Sequence, residues 1–164
     1  MKQSRLSWRL SFWFNNGRDR ERERSVPFNI RLDRLHLTIQ AAMGWTNSHL
    51  YEIRADGVGW STPYPDQDWA GDFLDARKAR LGDVLEDVGT KMLKYLYDFG
   101  DGWEHTIKVE RLVDPEPGVL YPRLIEAKGR CPPEDCRRSL GLWRVHCSEA
   151  PDLILANPLC CHAG

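Results

Sequence analysis

The sequence has no long apolar run and no excess of one charge. No stretch approaches the roughly 18 apolar residues that a membrane span needs, and no uninterrupted apolar stretch precedes a small-residue cleavage site near the N-terminus. The 23 basic and 24 acidic residues leave a formal net charge of −1, which as a whole favours neither nucleic acid nor a membrane surface. We therefore expect a cytoplasmic protein without a membrane partner, in which any nucleic-acid contact is local.

Cysteine and catalytic motifs are also scarce. The five cysteines are an odd number, and three of them lie near the C-terminal end of the sequence (Cys147, Cys160 and Cys161), which favours a reduced protein over a secreted disulfide scaffold. The sequence lacks a phosphate-binding glycine loop, a serine or cysteine nucleophile in a known frame, and a zinc helix with two histidines. No catalytic class is named by these patterns.

Length and composition indicate a single globular domain. The chain has 164 residues, 41% of them apolar and 29% charged, which is the usual mixture of a folded domain. Seven tryptophans are many for this length. Four of them lie in the middle of the chain (Trp45, Trp60, Trp69 and Trp103), where large rings indicate a well-filled core or an aromatic groove.

Residues 1–24 allow two interpretations, a basic arm or a divergent first strand. Apolar residues alternate from Leu6 to Phe14, as in a half-buried strand. The following run from Arg18 to Arg24 alternates arginine with acidic residues and could contact phosphates through its basic side chains. The interleaved acidic residues favour a solvated arm with local charge pairing.

Two helices are indicated by apolar residues at helical spacing. Asp33 offers an N-cap for the first, which carries Leu35 and Ile39 on one face and ends at Gly44. His36 lies beside the apolar face, which favours a structural histidine. A shorter helix runs from Leu81 to Val88.

Alternating residues predict two hairpins. The first joins residues 49–54 to 58–60 around a turn with Gly57, and the second runs from Leu93 through a glycine-containing loop to Val113. We expect the odd-numbered residues of the second hairpin to face the core. Residues 120–125 form either a final strand or an extended arm. The prediction is an α+β fold, a roll-like single domain in which one main helix packs on a mostly antiparallel strand meander.

Polar residues gather near the tip of the second hairpin. Asp98, Asp101, Glu104 and His105 could together form an acid-base or metal site. In an alternating strand, however, Asp98 and Glu104 lie on the face opposite His105, and aspartate between glycines is a common turn residue. A structural role is therefore the favoured interpretation.

The segment from Cys131 to Cys136 could hold part of a zinc site. Its two thiols have a spacing at the edge of the range for zinc-binding cysteine pairs. Zinc would need a second pair of ligands from the C-terminal cysteines and histidines (His146, Cys147, Cys160, Cys161 and His162).

Several motifs occur in the order found in one known family. They are Leu35-His36, Ile39 to Trp45, Ser48-His49-Leu50, Tyr97-Asp98-Phe99-Gly100-Asp101-Gly102-Trp103-Glu104-His105, Pro122-Arg123 and the segment Cys131 to Cys136. From about Val26 to Cys136 the chain resembles the plasmid pRiA-type ORF-three-like family. The resemblance implies an α+β roll. It implies little about function, since the family is uncharacterised, occurs on plasmids and insertion elements, and includes members labelled as resolvases without a catalytic motif.

The chain departs from the family pattern at both ends. The family begins with a Pro-x-Ile-Trp-Arg-like strand where this chain has the run from Arg18 to Arg24, and it continues after the second cysteine with Gly-Gly-Pro-Trp-Gly-Tyr. Codons can be chosen for residues 137–147 so that deletion of one nucleotide yields Gly-Gly-Pro-Trp-Gly-Tyr-Gly-Glu-Phe-Ile. We hypothesise that the divergent tail, residues 137–164, is translated out of frame, and resequencing of the coding DNA tests this.

Two functions are compatible with residues 25–136 as the family-like domain. The first is a non-catalytic module of a mobile element that binds nucleic acid or a protein partner through an aromatic sheet face and the basic arm. Its candidate binding residues are Trp45, His49, Trp60, Trp69, Tyr95, Tyr97 and Trp103. The alternative is a metal-assisted hydrolase that uses Asp98, Asp101 and His105.

Overall fold

Two helices and one eight-stranded sheet make up the part of the chain that the structure describes. The structure is a computed structural model and describes residues 6–14, 21–63, 73–128 and 131. In chain order the elements are β1 (Ser7–Phe14), β2 (Glu21–Pro27), α1 (Leu32–Met43), β3 (Tyr51–Ala55), β4 (Val58–Ser61), β5 (Phe73–Asp75), α2 (Leu81–Val88), β6 (Met92–Tyr97), β7 (Trp103–Val113) and β8 (Arg123–Ala127). The strand order is β5-β4-β3-β6-β7-β1-β2-β8, and among these described strands β4 and β5 are parallel while all other neighbours are antiparallel. The α+β class is therefore confirmed.

One face of the sheet is apolar and carries the core. In β6 and β7 the odd-numbered residues from Leu93 to Val109 are buried, as predicted from the alternation. The prediction is wrong for the end of β7, where Arg111 is exposed and Val113 is half-buried, because the pairing with β1 shifts register there. The same face continues into β1, because Leu10 is paired with Val109 and is itself buried. Helices α1 and α2 add buried leucines to this core. The other face has charged and hydroxyl side chains, as is usual for an antiparallel sheet with one solvated side.

Helix α1 begins earlier than predicted. Its N-cap is Arg31, which has an extended backbone and makes no side-chain cap, so the prediction of Asp33 as N-cap is wrong. The helix starts here because Leu32 is fully buried and its N–H donates to the Ala79 carbonyl, 3.0 Å away. Asp33 instead accepts two hydrogen bonds of 2.9 Å from the Arg31 guanidinium. Gly44 ends the helix with φ 72°, as predicted.

Residues before Ser25 contribute strands to the sheet. Strand β1 lies between β7 and β2, and β2 lies between β1 and β8. In this position Arg22 and Arg24 are buried, being 6% and 8% exposed. The interpretation of these two arginines as part of a solvated arm is therefore corrected, because their side chains lie on the face of β2 that is directed at α1 and Cys131.

The remaining predicted elements are observed with small changes. The first hairpin turns at Asp56 and Gly57, both with positive φ, and α2 ends at Gly89. A final strand, β8, pairs with β2. Strand β5 was not predicted, because three residues are too few for a periodic signal. No helix among residues 6–14, 21–63 and 73–128 has the length and apolar character needed to cross a membrane.

Candidate functional site

The predicted aromatic binding residues lie in the core. Trp45 stacks on Tyr97 with ring centroids 5.0 Å apart and contacts Trp103 at 5.8 Å. Trp60 and Tyr95 are also buried. A base needs an open ring face for stacking, and these rings have none. The expectation of an aromatic sheet face open to bases is therefore corrected for these five residues, whereas Trp69 lies outside the described residues.

His36 belongs to a buried hydrogen-bond network between α1 and β6. Its Nε2–H donates to Asn47 Oδ1 at 2.5 Å, and its Nδ1 accepts from the Tyr95 hydroxyl at 2.9 Å. The Tyr95 oxygen in turn accepts from Gln40 Nε2 at 2.8 Å. The ring also stacks on Tyr51, with centroids 3.6 Å apart. Burial lowers the pKa of His36 to about 4, against smaller opposing effects of Asn47 and Asp33. His36 is thus a neutral structural group, as its sequence position indicates.

The network predicts a specific cost for losing one hydroxyl. Tyr95→Phe leaves His36 Nδ1 and Gln40 Nε2 without their partner, so we expect the free energy of unfolding to fall by about 1–3 kcal/mol. Tyr51→Phe is the matched control, because its hydroxyl bonds to Thr62 in a partly buried position and, among the described residues, takes no part in the network. Urea unfolding measures both variants. Equal losses in the two would contradict the network.

The three candidate catalytic residues of the hairpin tip are all buried. Asp98 has φ 54°, and its Oδ1 accepts the N–H groups of Gly100 at 3.0 Å and Asp101 at 3.3 Å, which fixes the turn. His105 is 1% exposed, and its Nδ1–H donates to the Trp103 carbonyl at 3.2 Å. Burial lowers the pKa of His105 to about 4. Asp101 is also buried.

The described part of the chain contains no set of ligands for a metal-assisted mechanism. Within it, no group of three His, Cys, Asp or Glu side chains could hold a metal ion. Asp98 is near a different histidine, His49, whose Nε2 lies 3.7 Å from Asp98 Oδ2. Sequence analysis did not predict this pair, because the two residues lie on separate loops that are far apart in the sequence.

His49 lies at an open cavity beside the first half of α1. The cavity has a volume of about 650 Å³, within the usual range for ligand pockets. Its polar lining includes Asn47, His49, Ser61 and Thr62, and Arg34 and Arg77 are at its edges. We call this the His49 cavity. Of the predicted binding residues that the structure describes, His49 is the one that lines it.

Positive side chains converge around the start of α1. The turn before α2 is held against α1 by a bridge between Arg31 and Arg80 and by the hydrogen bond from Leu32 to Ala79. This brings together five cations, which we call the basic patch: Arg31, Arg34, Arg77, Lys78 and Arg80. Two carboxylates, Asp33 and Asp75, pair with Arg31 and Arg77, and Asp83 follows in the first turn of α2. The five cations come from segments more than 40 residues apart, so sequence reasoning did not combine them.

Cys131 lies against α1 and β2. Its Sγ is 3.0 Å from Arg22 Nη2, 3.2 Å from Met43 Sδ and 3.8 Å from the Ala42 carbonyl. Cys136 and the other predicted zinc ligands lie outside the described residues. Zinc binding by Cys131 and Cys136 stays a prediction, which metal analysis of the protein and of a Cys131→Ser, Cys136→Ser variant would test.

The chain is similar to known proteins in sequence and in fold. The family model of the plasmid pRiA4b ORF-3-like proteins matches residues 18–145. The chain therefore belongs to this family, which confirms the resemblance seen in the sequence. It is 57% identical over 110 residues to the uncharacterized protein y4hQ of Sinorhizobium fredii, a match that covers 67% of this chain and 55% of y4hQ. The chain thus spans about half the length of that relative.

A solved structure supports the same fold. The crystal structure of MM3350, a protein of unknown function from Methanosarcina mazei Go1, superposes with a TM-score of 0.70 at 27% identity. The match covers 79% of this chain and 73% of MM3350. The family match extends to residue 145, while the reading-frame hypothesis for residues 137–164 stays a prediction.

Proposed function

We propose that this protein is a non-catalytic module that binds nucleic acid through the basic patch. The proposal rests on the five cations of the basic patch, which come together from two segments of the chain. Two carboxylates in the same segments pair with two of these cations, so positive charge is in excess. Such an excess of positive charge contacts phosphates and releases their counterions, although the protein as a whole is nearly neutral. A cytoplasmic location and association with plasmids and mobile elements are part of this proposal.

The geometry of the patch favours contact with the phosphate backbone. Arg34 is well exposed, with 63% of its side chain accessible, and it lies 3.8 Å from Asp33. Lys78 and Arg77 are exposed on the neighbouring turn. Contacts with the phosphate backbone position a nucleic-acid strand but do not read its base sequence. The adjacent His49 cavity offers amide, hydroxyl and imidazole groups that could contact a sugar or base of the bound strand.

Removal of two patch charges is expected to weaken binding. We expect Arg77→Gln combined with Lys78→Gln to weaken affinity for a labelled single-stranded oligonucleotide by about tenfold or more at low salt. The matched control is Lys94→Gln with Lys108→Gln, which removes the same charge from exposed positions on β6 and β7. Fluorescence anisotropy with DNA and RNA oligonucleotides measures both variants.

The control separates local from overall charge. Equal weakening in the two double variants would mean that any positive charge suffices and would contradict the basic patch as the binding surface. No binding of either oligonucleotide at low salt would reject nucleic acid as the ligand and would favour a protein partner.

A further inference from the structure

Arg24 is a buried cation without a partner among the residues that the structure describes. It lies on β2, paired with Leu10 of β1 and Leu124 of β8, so its side chain is on the same face as the buried Leu10. Only 8% of the residue is exposed, and its Nε contacts neither solvent nor a hydrogen-bond acceptor. Buried charges in proteins are normally paired or hydrogen-bonded, because their desolvation is otherwise uncompensated.

The surroundings of Arg24 add positive charge. Arg22, two residues earlier and also buried, donates to the Lys128 carbonyl and contacts the Cys131 thiol. Burial and, to a smaller extent, the neighbouring Arg22 lower the pKa of Arg24 to about 10, while Cys131 has an opposing effect. No carboxylate in residues 6–14, 21–63 or 73–128 forms an ion pair with Arg24.

Arg24 lines a cavity between β2 and α1. The volume of this Arg24 cavity is about 550 Å³. Its walls are mainly apolar, including Pro27, Leu37 and Pro122, and its cations are Arg24, Arg31 and Arg34. A space of this size, with apolar walls and a few convergent charged groups, is typical of a small-molecule site.

The charges of the cavity match a doubly negative group. Arg31 is already neutralised by its two hydrogen bonds with Asp33. Within the described part of the chain, the one carboxylate contact of Arg34 is 3.8 Å long, with the same Asp33, and Arg24 has no ion pair. Two guanidinium groups are therefore available, and planar guanidinium groups bind phosphate oxygens in pairs.

We propose that the Arg24 cavity binds a phosphate group, carried by a small phosphate ester or by the phosphorylated end of a nucleic-acid chain. The proposal goes beyond binding at the basic patch: the cavity shares Arg31 and Arg34 with the patch, but Arg24 lies on the core-facing side of the sheet and outside it.

The first test is thermal unfolding in inorganic phosphate, with sodium chloride at matched ionic strength as reference. A ligand that binds only the folded state raises the Tm progressively with concentration. We expect phosphate to raise the Tm of the unsubstituted protein and to have no such effect on Arg24→Met. We also expect Arg24→Met without phosphate to unfold at or above the Tm of the unsubstituted protein, since methionine removes an uncompensated buried charge. Arg111→Met, which removes an exposed arginine of β7, should keep the full phosphate shift.

Further variants keep the test decisive. If Arg24→Met does not fold, Arg34→Met replaces an exposed cavity residue, and we expect it to raise the half-saturating phosphate concentration at least fivefold. The variant Arg77→Gln, Lys78→Gln should retain the phosphate shift, which separates this proposal from the basic patch. If a 5′-phosphorylated oligonucleotide raises the Tm more than its unphosphorylated counterpart does, the bound phosphate belongs to a nucleic-acid end. If a nucleoside monophosphate raises the Tm as much as the phosphorylated oligonucleotide does, the ligand is a small phosphate ester.

Two results would overturn the proposal. One is a phosphate shift that is absent from the unsubstituted protein or unchanged in both Arg24→Met and Arg34→Met. The other is a shift that arises only in a Glu134→Gln, Asp135→Asn variant, since the cavity would then be occupied by a carboxylate of this chain.

Discussion

Acidification from pH 7 to pH 5 is expected to lower the free energy of unfolding by about 4 kcal/mol through His36 and His105 alone. Both imidazoles are buried, and their pKa values are lowered to about 4, chiefly by desolvation. A typical domain has a stability of about 5–15 kcal/mol, so the loss would be a large part of the total.

The direction follows from the protons bound in each state. Above the unfolded pKa of about 6.5, both histidines are neutral whether the chain is folded or not, and they contribute no pH dependence. Below it, the unfolded chain takes up protons that the folded chain does not, so stability falls with decreasing pH until the folded pKa of about 4 is reached. Each histidine contributes about 2 kcal/mol of the loss at pH 5.

Two measurements check this prediction. Imidazole NMR signals should show that His36 and His105 remain neutral at pH 5 in the folded protein. Urea unfolding at pH 7 and pH 5 should show that His36→Gln reduces the pH-dependent loss by about half, whereas His49→Gln, at the more exposed cavity position, leaves the His36 contribution in place. A His36 signal that titrates near its ordinary pKa in the folded state would contradict the buried neutral network.

The second large effect concerns Trp45. Trp45→Ala should lower the free energy of unfolding by about 3–5 kcal/mol, because it removes a large buried ring from a packed core. Its ring contacts Tyr97, Trp103 and His105. Leu37→Ala, at an exposed position of α1, is the control and should cost much less.

The same variant separates packing from base stacking. If Trp45 packs the core, then oligonucleotide affinity of the folded fraction should stay unchanged in Trp45→Ala. Chemical unfolding and anisotropy, measured under conditions where the variant is folded, test this together. Unchanged stability with weakened binding would contradict the core assignment and restore the stacking role.

Local patterns in the sequence predicted most of the strands and helices. The alternation from Leu93 to Val109 is decisive because one sheet face is buried and the other is solvated. Gly44, Gly57 and Gly89 marked turns and helix ends because each has positive φ. Asp33 was misassigned as N-cap because the helix start is set by a tertiary contact, from Leu32 to Ala79, which no local pattern contains.

The site was predicted less well because its residues meet only in three dimensions. Tryptophans and tyrosines have the same pattern in the sequence whether they fill a core or bind a base, and burial decided for the core. The run from Arg18 to Arg24 resembled a solvated arm because its arginines alternate with acidic residues. Burial of Arg22 and Arg24 depends on distant parts of the chain, because Arg22 contacts Lys128 and Cys131, which lie more than 100 residues further along, and Arg24 faces α1.

The measurement that most directly tests the basic patch is the salt dependence of single-stranded oligonucleotide binding. The basic patch has three more cations than paired carboxylates. We therefore expect a plot of the logarithm of the affinity against the logarithm of the salt concentration to have a slope of about −2. The Arg77→Gln, Lys78→Gln variant should have a slope closer to zero by more than about one, and the Lys94→Gln, Lys108→Gln control should keep the original slope. A slope that is unchanged in the patch variant, or shared equally by both variants, would contradict the proposal that this surface binds nucleic acid.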